Sequence, residues 1–208
     1  MNIQKLKEAE KYFFAKFPGG FENPEMLKIG KKHKMDKLIG QTQEFFAKEN
    51  FKEPEMIVEK VTKVVSRSSM VSLFEKPKFR DFAMTLPIGE KELLAKGVKE
   101  LLHGNQKNGF EIILEILKNG KLAKWTLMTV LPIYLRPQID VFVKPTYAKK
   151  IIEIYELESL TYKPTPSWEF YESFREQINE MKTKVDPSLS NYNAAFTGFL
   201  IMGSENLT

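Results

Sequence analysis

The 208-residue chain has no cysteine and only two histidines. Without cysteine there are no disulfides, no thiolate nucleophile and no cysteine-ligated metal, in keeping with a reducing compartment. Any imidazole chemistry rests on His33 and His103. The phosphate-cradling patterns GxxxxGK[ST] and GxGxxG are missing, and so is the GxSxG nucleophile elbow. There is no zinc-finger spacing and no RNA-recognition aromatic motif. Long apolar runs are missing too. The longest, "WTLMTVLPIYL" (125–135), contains a proline and falls short of the roughly 20 residues of a spanning helix. The opening "MNIQKLKEAEKYFF" is charged and amphipathic, without an apolar signal core, so a cytoplasmic location is expected.

What is present suits one globular domain. Hydrophobic residues make up 42% and charged residues 28%, with sixteen Phe, nine Met and seven Tyr for a bulky core. The net charge of +5 and the pI of about 9.1 favour contact with polyanions.

Apolar residues recur at helical spacing along almost the whole chain. "IQKLKEAEKYFFAKF" carries Ile3, Leu6, Phe13, Phe14 and Phe17 on a stripe that "PGG" ends. Asn23 and Pro24 open a second helix, and Asp36 a third. "EPEMIVEKVTKVV", "EKELLAKGVKELLHG" and "GFEIILEILKNG" follow as amphipathic helices, the last two ended by Gly104 and Gly120. "KLAKWTLMTVLPIYL" (121–135) has so little polar surface that it reads as the buried centre of the core, broken near Pro132. "VFV" (141–143) suggests a short extended segment, after which helices resume. No stretch alternates with period two. The fold class expected is all-α: a single compact multi-helix domain over residues 1–203, with about eight to ten helices and little or no strand. Residues 204–208 read as a tag-derived tail.

Lys-Pro occurs three times, at 76–77, 144–145 and 163–164, each near an expected helix start. Proline suits the first helical position, but lysine faces the positive end of the helix dipole. A helix N-terminus with an adjacent lysine offers an anion both N–H donors and charge. The candidate anion-binding residues are therefore Arg136, Lys144, Thr146, Lys149, Lys76 and Arg80, with Lys163 at the third pair. Arg136 and Lys144 are expected to flank one site, the loop "PQIDVFV" folding back to bring Arg136 near the N–H groups of Tyr147 and Ala148. The competing arrangement pairs Arg136 with Asp140 and leaves Lys144 facing water. A third view makes the lysines ordinary solvated charges.

Other chemistry is thin. His103 sits in the last turn of a helix, where a cation meets the negative end; His33 lies among lysines in "GKKHKMDK". Trp125 and Trp168 read as core, and "SRSSMVS" (66–72) as a polar break between helices. No metal site and no cofactor is expected.

"SLFEKPKFRDF", "KLAKWTLMTVLPIYLRPQIDVFVKPTYAKKII", "KPTPSWEFY" and "VDPSLSNYNAAFTGFL" together resemble a set of uncharacterised bacterial helical proteins, from about residue 66 onward. The chain departs from that pattern at Tyr147, where threonine is expected, and at Tyr192, where proline is. The resemblance implies no activity, cofactor or partner. Two functions stay open: a non-enzymatic binding or accessory protein holding a nucleic acid or other polyanion on basic helix ends, and an enzyme acting on a phosphorylated or acidic small molecule between helices.

Overall fold

The computed structural model describes residues 1–207. Among them are eleven α-helices and no strand, as the periodicity requires. They are α1 (Ile3–Lys16), α2 (Pro24–His33), α3 (Met35–Phe45), α4 (Pro54–Arg67), α5 (Glu75–Thr85), α6 (Ile88–His103), α7 (Gln106–Asn119), α8 (Trp125–Leu135), α9 (Pro145–Ile154), α10 (Trp168–Lys182) and α11 (Asn193–Met202). Helices α2 and α3 are separated only by Lys34 in the left-handed region, φ 49°. Lys34, not Asp36, is the residue from which α3 starts.

Local chemistry explains most helix starts. The side chains of Asn2, Asn23, Asn105 and Ser167 each accept a hydrogen bond from the first turn of α1, α2, α7 and α10. Prolines 24, 54 and 145 occupy first-turn positions, where a missing N–H costs nothing.

Helix α8 is the centre. It packs against α3, α4, α6 and α7, and every residue from Leu127 to Tyr134 is buried, with Trp125 at 1% exposure. The helix runs unbroken through Pro132. Packing on all sides holds the ring in helical geometry, so only the backbone bond that proline cannot donate is lost. The expected helical residues 121–124 instead form a turn, with Lys121 at φ 55°. Residues 141–143 are buried and form no strand.

Helices α6 and α7 form an antiparallel hairpin. A Cβ on Gly109 would lie 2.1 Å from the Leu101 backbone nitrogen and 2.6 Å from the Gly97 carbonyl, so the two backbones meet where only glycine fits. Helices α1, α9, α10 and α11 complete the domain, α11 touching each of the other three. Residues 204–207 lie against this layer: Ser204 is buried, and Glu205 pairs with Lys16 of α1. Thr208 lies outside the described residues.

Candidate functional sites

The expected pairing of Arg136 with Lys144 in one anion site does not occur. Arg136 is spent elsewhere: its Nε donates to Asp140 Oδ2 at 2.5 Å, and its two terminal nitrogens to the carbonyls of Leu102 (3.0 Å) and Leu101 (3.4 Å). It thus closes the C-terminal end of α6, where unpaired carbonyls and the negative dipole favour a cation. The N–H groups of Tyr147 and Ala148 are also spent, both on the Lys144 carbonyl at 2.9 Å.

Asp140 is the hub of a buried network. Its side chain is fully buried and also accepts from Tyr171 Oη and Arg175 Nη1, each at 2.9 Å. Arg175 reaches on to Gln106 and stacks on Trp168 and Tyr171, with its guanidinium carbon 5.4 Å from each ring centre. Burial, and then the Asp140 charge, hold the Tyr171 phenol well above its ordinary pKa. Next to it, Asn193 donates to the carbonyls of Ile139 and Asp140 and to Asn179. Segment 136–143 is therefore clamped to α6, α10 and α11. The Arg136–Asp140 pair is local, but Arg175 lies 35 residues from Asp140 and nothing in the sequence signals its part.

The three Lys-Pro pairs prove to be three different things. Lys144 is the residue before α9, with Pro145 at its first position. Lys76 and Pro77 lie inside the first turn of α5, which starts at Glu75. Lys163 and Pro164 sit in the loop before α10, which Ser167 caps. Arg80 pairs with its neighbour Asp81 on an exposed face. Thr146 is exposed, and the Lys149 ammonium lies 5.1 Å from the Tyr162 ring centre.

Two of the pairs nonetheless approach one place, the N-terminal end of α8. Glu75, beside Lys76, accepts from the Thr126 hydroxyl at 2.9 Å. The Trp125 indole donates to the Lys163 carbonyl at 2.8 Å. Lys124 precedes α8, and Lys121 lies one turn earlier, beside Gly120, over which the Phe82 ring of α5 packs. Lys78, Lys121, Lys124 and Lys163 are exposed, and Lys76 is half-buried. Among the described residues none of these five forms an ion pair with a carboxylate.

A separate cavity of about 320 Å³ opens between α2, the start of α3, the loop after α4, α9 and α11. Its walls are mainly methionine and aromatic, and Lys144 and His33 stand among the lining residues. His33 Nδ1 lies 2.8 Å from Ser69 Oγ, but among the described residues no carboxylate orients the imidazole, so the pair lacks the third member of a triad. His103 meets the Phe46 carbonyl at 2.6 Å and the Phe51 ring edge-on. Among the described residues no cluster of three metal-ligating side chains occurs, and no helix is long and apolar enough to cross a membrane. No family model, curated protein or solved structure matches the chain.

Proposed function

We propose that the chain is a non-enzymatic binding protein that holds a polyanion, with nucleic acid as the polymer to test, on the basic face around the start of α8. The observation that carries this is the delivery of Lys76, Lys78, Lys121, Lys124 and Lys163 to one end of one helix by separate segments, without carboxylate partners. Surface lysines are ordinarily interspersed with acids. Glu75 sits among these lysines, bound to Thr126 rather than to any of them, and five lysines around it leave a net positive group that raises the local potential and attracts phosphate. Lys149 extends the face, because it stacks on Tyr162, the neighbour of Lys163. The aromatic residues beneath, Trp125 and Phe170, are buried and packed on each other, so the contact is electrostatic rather than base stacking.

Titration of a fluorescent single-stranded oligonucleotide tests the reading. Neutralising about five phosphates implies a slope of roughly −3 to −4 in log affinity against log salt. Lys124→Glu combined with Lys163→Glu is expected to abolish binding at low salt while leaving the helical circular dichroism unchanged. Absence of wild-type binding at low salt, or indifference to the double charge reversal, refutes it.

A further inference from the structure

The cavity beside α9 carries an inference independent of the basic face. Its wall is built from Met26, Met35, Met70 and Met202 with Phe21 and Phe142. Methionine is unbranched and adaptable, and suits a flexible guest better than a rigid one. None of the lining residues is acidic, and Lys144 is the one lysine among them. Its ammonium sits 4.1 Å from the centre of the Tyr147 ring, which also lines the cavity. The Asp36 carboxylate accepts from the hydroxyl of Tyr192, a lining residue, at 3.2 Å.

Glycine placement is the second observation. Gly97, Gly109, Gly120 and Gly203 are demanded by packing, since a Cβ on any of them would meet another atom closer than 3.0 Å. Gly30 in α2 and Gly198 in α11, like Gly40 and Gly89, are not. A Cβ on Gly30 would meet nothing within 4 Å, and one on Gly198 only the Met202 methyl at 3.7 Å. Both line the cavity. Helix-interior glycine costs about 0.5–1 kcal/mol relative to alanine. At these two positions, as at Gly40 and Gly89 away from the cavity, no protein atom requires it; here a larger side chain would enter the cavity, from its exposed edge at Gly30 and from its wall at Gly198.

We propose that this cavity binds a small amphipathic carboxylate, an unbranched alkyl chain with one acid group, the chain lying among the methionines and the carboxylate at Lys144. Charge complementarity selects the head group: one cation and no anion line the site. Apolar walls with a few placed polar groups select the tail.

Decanoate below its micellar concentration is the probe, with decanol and decylamine as matched controls. The readout is the spectrum of the methionine methyl groups in isotope-labelled protein. Decanoate is expected to shift the methyls of Met26, Met35, Met70 and Met202 while leaving the buried Met128 and Met181 unmoved. Decanol is expected to bind about tenfold more weakly and decylamine more weakly still, as loss of a charge-assisted contact implies. Lys144→Ala should remove the preference for decanoate over decanol, and Gly198→Leu should abolish binding of both. If Gly198→Leu does not fold, Gly30→Leu at the mouth serves the same purpose. The proposal falls if decanoate leaves the cavity methionines unshifted, if methionines throughout the protein shift alike, or if decylamine binds as tightly as decanoate.

Discussion

Replacing Asp140 by asparagine keeps the shape of the side chain and removes its charge. The carboxylate is fully buried and receives three donors, two of them guanidinium groups whose side chains are only 21% and 15% exposed. The amide offers one acceptor oxygen and turns an N–H₂ group toward cations. Two largely desolvated positive charges then face each other without the anion between them. Removing one partner of a buried pair costs about 3–5 kcal/mol, because the charge left behind has lost both water and its counter-ion. For a domain of this size that corresponds to a fall in Tm of about 6–20 °C. Urea unfolding followed by far-ultraviolet circular dichroism is the assay, read as a midpoint shift at constant slope. Tyr171→Phe removes a single hydroxyl donor from the same carboxylate and should cost about 1 kcal/mol. A loss below about 1 kcal/mol for Asp140→Asn would mean that water screens the cluster, and would refute the assignment of segment 136–143 as an electrostatically clamped element.

Trp125→Ala should cost about 3–5 kcal/mol in the same assay, since the ring is 1% exposed between Phe110 and Phe170. Gly109→Ala should destabilise by about 3 kcal/mol by forcing α6 and α7 apart, whereas Gly40→Ala, where a Cβ meets nothing within 4 Å, should stabilise by about 0.5–1 kcal/mol. Stability should fall in alkali: burial raises the phenol pKa values of Tyr134, Tyr155 and Tyr171 in the folded state. Unfolded tyrosine ionises near pH 10, so above that pH the unfolded chain binds fewer protons. The stabilisation is therefore complete below about pH 10 and is lost as the pH rises through the folded values. Phenolate absorbance from these three rings should appear together with unfolding; ionisation in the intact fold would contradict it.

Helix positions were legible because their signals are local. Asn23-Pro24 and Gly104 act within one turn of themselves, and the stripe in "EIILEIL" needs no partner to be read. The buried centre expected over 121–135 was legible for the same reason, since a segment with little polar surface has only the core to occupy, although Lys121 and Lys124 at its start are exposed. Pro132 was misread because proline's effect depends on what surrounds the helix: an isolated helix breaks, while one packed on all sides keeps its geometry. The roles of the charged residues were the least legible. Arg136 and Lys144 are both basic and eight residues apart, yet one closes the end of α6 against Asp140 and the other lines a cavity against Tyr147.

By itself, then, the sequence determined an all-helical domain, its central segment and most helix ends, because backbone propensity, capping and amphipathicity operate over three or four residues. The tertiary structure alone decided which charges are spent and which stay available. Asp140 meets Arg175 across 35 residues, and the Trp125 indole, by donating to the Lys163 backbone carbonyl across 38, brings that lysine to the start of α8. Charge pairing depends on distance in space and on exclusion of water, and neither is encoded in the spacing of residues along the chain.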